Sequence, residues 1–374
     1  MFSFSPRKTP EPKEGEDDFE QRYMTNRLHK IILIAAMAVA LVVATGIALT
    51  FNGYDIGFFD CYRFVFDHLF GKTYNPVTDR SNWVIDYMLW NRYLPRVIMA
   101  ILAGASLAIC GVAMQSVMNN PLADPYTVGI SDGACFGAVA AIVMGFSVSS
   151  LTQSAGLVTS AFLGGMIPAV VIIILSNIVR MTPATAILVG VALSYIFSGM
   201  ETAIMVTTDA DTLKAAYLWQ IGSLNGIVWD DCIIPTIITV VCGAFLMLSA
   251  HKLNLLSLGD DSAVSLGLNV NMFRTVVMIV VSVTVAAVVS FVGIIGFVGL
   301  VAPHLVRMII GGDNKFLIPV SMLTGALFIQ VADLISRVVV YPDELRVGLI
   351  ASIIGAPIFL YIILRKKRNY GEAL

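Results

Sequence analysis

Few residues of this 374-residue chain sit where they could do chemistry. Gly71-Lys72-Thr73 looks like the close of a phosphate-binding loop. That loop needs glycine five residues before Gly71, where the chain has Phe66. The chain therefore carries no ATP site of its own, and ATP-driven work would need a partner. Asp132, Glu201 and Asp333 fall inside apolar stretches, where an ionisable group is expensive and marks an ion or substrate pathway. No paired His or carboxylate cluster at catalytic spacing points to an embedded enzyme. Cys61, Cys110, Cys135, Cys232 and Cys242 are an odd, scattered set with no CxxC, so neither a disulfide framework nor a metal site is expected.

The elements that must position these groups are membrane helices. Apolar residues make up 57% of the chain and Asp, Glu, Lys and Arg only 13%, with mean hydropathy +0.85; soluble domains are about one quarter charged. Uncharged stretches recur near the ~20 residues that a helix needs to cross a ~30 Å hydrocarbon core. They are too long and too continuously apolar for barrel strands, and only helices or closed barrels satisfy their backbone in lipid. The expected class is an all-α polytopic membrane protein of about ten helices. The spans are Ile31–Phe51, Leu94–Met118, Tyr126–Phe146, Gly156–Ile178, Thr185–Val206, Cys232–Ala250, Phe273–Phe291, Gly296–Ile310, Phe316–Val338 and Val347–Leu364.

Around that ten-helix domain (29–368), residues 1–28 read as a disordered cytosolic tail with six acids between Glu11 and Glu20, and 369–374 as a second tail. Nothing at the N-terminus resembles a cleavable signal. Ten crossings put both ends on one side. Arg22, Arg27 and Lys30 precede the first span, and Arg365, Lys366, Lys367 and Arg368 follow the last, so that side is the cytosol. The opposite side holds the segment 52–93, whose basic residues are offset by Asp55, Asp60, Asp67, Asp79 and Asp86. The chain is expected in the cell (inner) membrane.

Three further patterns stand out. Ala100, Gly104, Ala108 and Gly111, then Gly293, Gly296 and Gly299, are small residues whose spacing lets helix backbones approach closely. Gly104–Pro121 and Gly293–Pro303 are both glycine-rich helices ending in a proline break; an inverted internal repeat with interrupted helices marks a transport pathway. The loop 251–272 contains Leu255–Asn271, which reads as two short helices separated by Gly259 and closed by Gly267. Its Leu258, Ala263, Val264 and Leu266 place apolar groups on a soluble loop, and it lacks the Lys and Arg of an interfacial helix. A docking surface for a cytosolic protein fits it better.

From about Leu94 to Arg365 the chain resembles the permease subunits of ABC importers for iron-siderophores, haem and cobalamin, the type II importers of the FecCD-type family. The resemblance rests on Leu94-Pro95-Arg96, Gly104-Ala105 through Gln115, Asn120-Pro121-Leu122-Ala123-Asp124-Pro125 with Gly129 and Gly133-Ala134, and Gly190-Val191-Ala192-Leu193. It continues through Leu258-Gly259 with Ser265-Leu266-Gly267, Gly296-Phe297-Val298-Gly299-Leu300 with Pro303-His304, Glu344-Leu345 with Val347-Gly348, and Gly355-Ala356-Pro357. It implies a homodimer or paired permease with the pathway on the dimer axis, two cytosolic ABC ATPase subunits, and an extracytoplasmic substrate-binding protein. No nucleic acid is implied, and ATP is used only by the partner.

By this resemblance Leu258, Gly259, Ala263, Leu266 and Gly267 contact the ATPase, and Arg92, Arg96 and Arg337 receive acidic residues of the binding protein. Gln115, Asn120, Pro121, Glu201, Pro303 and His304 are pathway candidates. The chain departs from the family at Tyr93, where an arginine is usual, and at Arg346, where Glu-Leu-Pro is usual. Asp132 and Glu201 also replace smaller polar or apolar residues. The expected function is the permease of an ATP-driven importer for a bulky metal chelate, an iron(III)-siderophore first and haem or cobalamin second. The rival is an ion-coupled secondary transporter using Asp132, Glu201 and Asp333.

Overall fold

The computed structural model describes residues 14–51, 56–145, 153–340 and 343–371. Helix α1 covers Glu14–Thr50, α2 Phe58–Leu69 and α3 Arg80–Met88; a π turn, Leu89–Tyr93, leads into α4, Leu94–Val117. A 3₁₀ turn at Pro125–Val128 precedes α5, Ile130–Met144, followed by α6 (Gln153–Ser176), α7 (Pro183–Val206) and α8 (Ala210–Gln220). The chain continues with α9 (Trp229–Leu248), α10 (Ala250–Leu256), α11 (Asp260–Ser265) and α12 (Val270–Val292). It ends with α13 (Val298–Ile310), α14 (Asn314–Val338) and α15 (Val347–Gly371).

Among the described residues, seven helices are long and apolar enough to cross a bilayer, and three shorter apolar ones stand at Ile130–Met144, Val298–Ile310 and Val347–Ile362. Together they occupy the ten expected places. Short polar side chains start several of the helices by accepting a first-turn N–H: Thr182 for α7, Asp209 for α8, Asn269 for α12 and Asp313 for α14. Phe146, at the end of the third expected span, lies outside the described residues, as do 1–13 of the expected tail. The boundary at residue 28 is corrected. Helix α1 begins at Glu14 and runs unbroken into the membrane span, because no Pro or Gly after Gly15 interrupts it before Gly46. At the other end α15 continues to Gly371, beyond the expected limit at 368.

Why α5 and α13 are short is the key to the architecture. At 1.5 Å per residue they reach only about 20 Å, less than the hydrocarbon thickness. Each follows a broken stretch with left-handed backbone: Gly129 (φ +82°) before α5, Gly293 (φ +71°) and Phe297 (φ +68°) before α13. Irregular backbone at membrane depth is tolerated only where protein buries it. Here the two breaks bury each other. The Tyr126 hydroxyl donates to the Ile295 carbonyl at 3.2 Å, and a Cβ on Gly299 would stand 2.6 Å from the Pro125 ring. The break before α13 also pairs with the loop after α8, through Gly222 N–H to Ile294 O (2.9 Å) and Ser223 N–H to Val292 O (2.8 Å).

Around this junction the helices pack with inverted symmetry. Helix α4, its break and α5 match α12, its break and α13, threaded the other way. The α4–α14 contact has its counterpart in α12–α6, and these are among the most extensive in the molecule. Small residues set both: a Cβ on Gly104 would lie 2.2 Å from Gly325 O, and one on Gly165 would lie 2.9 Å from Ala286 Cβ. The close-packing role expected of Gly104, Gly111 and Gly299 is what the structure assigns them, since Gly111 meets Gly299 backbone in the same way.

Candidate functional site

At the ends of α9 and α12, helices α10 and α11 form the expected pair of short helices. Gly259 (φ +98°) turns the chain between them and Gly267 (φ +86°) closes α11; neither would bring a Cβ against any other group. Leu258, Val264 and Leu266 are 64%, 51% and 61% exposed, while Ala263 is fully buried and seats α11. The pair is fastened rather than loose. Asn254 of α10 donates to Asp313 (2.8 Å) and accepts from the Asn314 N–H (2.8 Å), which holds α10 to the start of α14.

Sequence reasoning passed over Arg274, which fixes α11. It is buried and donates to Asp260 twice (2.6 and 3.1 Å), to Val117 O (3.1 Å) and to Met181 O (2.9 Å). One guanidinium thus ties α11 to the end of α4 and the approach to α7. Its hydrogen bonds hold the Asp260 carboxyl below its ordinary value. A displacement of α11 would therefore pull on the end of α4 and the approach to α7 through Arg274. An arginine inside a long apolar run was the signal available in the sequence.

The pathway candidates divide into two groups. Gln115, Asn120 and Pro121 stand at the end of α4 and the break that follows it, and Pro303 and His304 stand within α13. Buried Gln115 donates to Leu300 O at 3.4 Å, and its carbonyl oxygen has no hydrogen-bond partner among the described residues. The Asn120 N–H caps Gln115 O (3.0 Å), and its side chain accepts from Leu122 N–H (3.0 Å). Pro121 is half-buried beside it, whereas Pro303 and His304 are buried in α13. Asn120 and Pro121 shape the break after α4, but α13 runs unbroken through Pro303; the proline break expected there is corrected to one at Gly293 and Phe297.

Glu201 belongs to the second group, on α7. Ser194, Ser198 and Glu201 recur at helical spacing and share a face. Ser194 donates to Asp132 in the first turn of α5, so Asp132 and the Glu201 face of α7 stand at one α5–α7 seam. One Glu201 carboxylate oxygen is buried with no hydrogen-bond partner among the described residues. A cavity of about 290 Å³ opens beside Ser194, lined also by Tyr126, Thr127, Val191 and Tyr195. Much of α7 beyond this seam is exposed apolar surface, including Leu188, Tyr195 and Ile196.

Two of the three arginines expected to meet a binding protein are corrected. Arg96 and Arg337 are buried, and both are held by Asp333. Arg96 pairs with Asp333 at 2.9 Å and Glu344 at 2.8 Å, and Arg337 with Asp333 at 3.1 Å. Arg337 also donates to Ala48 O (3.0 Å) and Phe51 O (3.2 Å) at the C-terminal end of α1. Buried charges need such compensation, and it commits both arginines to joining α1, α4, α14 and the approach to α15. Asp333, by the same bonds, is a structural counter-ion rather than a coupling acid. Arg92 is exposed, in the π turn before α4. Near it His68 pairs with Asp86 at 2.9 Å and stacks on Trp90. Lys72, of the phosphate-loop look-alike, is paired with Asp67 at 2.7 Å.

Comparison with known proteins follows the same lines. The FecCD transport family matches residues 40–365. A hemin transport system permease of Yersinia pestis is 36% identical over 303 residues, covering 80% of this chain and 89% of its own. A cobalamin import system permease of Halobacterium salinarum is 40% identical over 271 residues, covering 72% and 71%. A solved inward-facing conformation of a metal-chelate type ABC transporter superposes with TM-score 0.75 at 29% identity, covering 89% of this chain and 98% of that one.

Proposed function

The chain belongs to the FecCD transport family, and we propose that it is the membrane permease of an ATP-driven importer for bulky metal chelates. The observation that carries this is the fastened α10–α11 pair. Leu258, Val264 and Leu266 project from it, and Arg274 ties it to the ends of α4 and α7. Apolar groups held rigidly on a polar loop suit a seat for a protein that moves, here two cytosolic ABC ATPase subunits. The exposed apolar surface of α7 suits a second permease copy, with the pathway between them. Arg92 remains as a contact for an extracytoplasmic binding protein. Both termini are placed in the cytosol by the sided charges.

Within the chelate class an iron(III)-siderophore is preferred, and the α5–α7 seam gives a reason. Asp132 and Glu201 beside the pathway disfavour anionic cargo such as haem, with its propionates, and favour a neutral or cationic chelate such as an iron(III) trihydroxamate. Cobalamin is the remaining alternative. The ion-coupled reading loses Asp333, which two arginines already neutralise.

Reconstitution with the co-purifying ATPase tests this. Radioiron uptake of cationic and neutral trihydroxamates and of anionic iron citrate is compared with uptake of haem and cobalamin, in the parent and in Glu201→Gln. ATP-dependent uptake favouring the cationic chelate, with the preference narrowed by the substitution, is expected. Uptake driven by an ion gradient without the ATPase would sink the proposal. An equal effect of Glu201→Gln on every chelate would remove the charge argument.

A further inference from the structure

Helix α2 presents an aromatic stripe that nothing among the described residues covers. Phe59, Phe66 and Phe70 are 82%, 56% and 86% exposed and, at spacings of seven and four, lie on one face. The opposite face is buried through Cys61 and Phe64, which pack on Ala48, Leu49, Leu89 and Val97. The flanks of the stripe differ. One carries Asp60, Arg63 and Asp67, with Arg63 paired to Asp60 at 3.5 Å. The other carries Phe58 and Tyr62, and these fix the depth of the helix.

Phe58 and Tyr62 rest on Gly46 of α1, where a Cβ would stand 2.4 Å from the Phe58 ring and 2.6 Å from the Tyr62 ring. The Tyr62 hydroxyl donates to Val42 O. Val42 and Gly46 lie about 12 and 6 Å below Thr50, the outer end of α1, at 1.5 Å per residue. They fall within the membrane span Arg27–Thr50. Gly46 also shares its helix face with Val42 and Val43, which are exposed apolar residues of that span. The first turn of α2 therefore lies on the lipid-facing side of α1, below the level at which α1 ends, and the phenylalanine stripe continues that apolar face. The charged flank is left to point to water.

We infer that α2 is an interfacial helix seated in the outer leaflet, with Phe59, Phe66 and Phe70 among lipid and Asp60, Arg63 and Asp67 at the aqueous boundary. The occupant of the stripe is the bilayer itself. Aromatic side chains at the headgroup level and an apolar face with a polar opposite flank are what that position selects. Gly46 acts as the notch that holds the helix at this depth.

Spin labels on the full chain test the inference. With the native cysteines replaced, single labels are placed at Val43, Phe59, Asp60 and Phe66, and the protein is reconstituted in vesicles of phosphatidylcholine and phosphatidylglycerol. Labels at 59 and 66 should be accessible to oxygen and shielded from a water-soluble nickel relaxant, as at 43, while the label at 60 shows the reverse. Nickel access at 59 and 66 equal to that at 60 would overturn the inference. Shielding from both reagents would do so too, by showing a second copy or another protein on the stripe. Because the cysteine replacements could disturb folding, the unaltered chain is also crosslinked to phosphatidylcholine carrying a photoactivatable acyl chain. Adducts between residues 58 and 70 are expected alongside those on α1, and adducts on α1 alone would refute the proposal.

Discussion

Replacing Asp333 by asparagine should be among the most damaging isosteric changes available in this protein. The carboxylate faces two guanidiniums, at 2.9 Å from Arg96 and 3.1 Å from Arg337, and the three side chains are 2%, 6% and 5% exposed. Glu344, the fourth member, is 26% exposed and reaches only Arg96. The intact group of two arginines and two acids is neutral. Asp333→Asn leaves a net positive charge in the cluster, and Arg337 loses its one carboxylate contact there. Removing one partner of a buried ion pair costs about 3–5 kcal/mol. Glu344→Gln removes a partly solvated pair and leaves Asp333 to serve Arg96, so about 1 kcal/mol is expected. The difference of at least ~2 kcal/mol is a factor of roughly 30 in the unfolding equilibrium. Equilibrium unfolding in mixed micelles measures it. A cycle adding Arg337→Met checks the cause, since the double variant restores neutrality and should recover more than about 1 kcal/mol of the loss. Equal effects of Asp333→Asn and Glu344→Gln, or additivity in the cycle, would refute the account of a shared buried counter-ion.

Other consequences are as direct. Leu258→Asp with Leu266→Asp should abolish co-purification of the ATPase while leaving membrane insertion and melting unchanged, because both side chains are exposed; a retained ATPase would remove α10–α11 as its seat. Gly104→Ala puts a methyl 2.2 Å from Gly325 O and forces α4 from α14, at about 1–3 kcal/mol. Gly296→Ala meets nothing closer than Ser352 Oγ at 3.7 Å and should change stability by less than about 0.5 kcal/mol. Similar losses in unfolding assays would show that helix proximity is not the cause. For topology, single cysteines at Asn75 and Asn369 should differ on intact cells, an impermeant thiol reagent reaching only position 75; labelling at 369 alone would invert the assignment.

What the sequence disclosed and what it withheld differ in physical kind. Hydropathy is a property of each residue alone, so all ten spans could be found by summing along the chain, even α13 behind its glycines. The α10–α11 pair was legible for a related reason: Leu258, Val264 and Leu266 are out of place on a polar loop whatever surrounds them. Pairing is a property of two residues, and inside a membrane it decides what a charge is for. Arg96 and Arg337 looked like rim arginines because each stands near a span end, and their common partner is 237 residues from Arg96 in the chain. Half of that answer was nevertheless present: Asp333 and Arg337 are one helical turn apart, and opposite charges at that spacing in an apolar helix satisfy each other first. The same distinction governs the helix breaks. Each was marked by its own Pro or Gly, but that Tyr126 of one bonds Ile295 of the other follows only from the inverted repeat. Where two interrupted helices occupy matching places in opposite orientations, each supplies the groups that the other's irregular backbone leaves unpaired. The permease can thus keep non-helical chain at membrane depth, and the two halves are linked where a pathway would have to open.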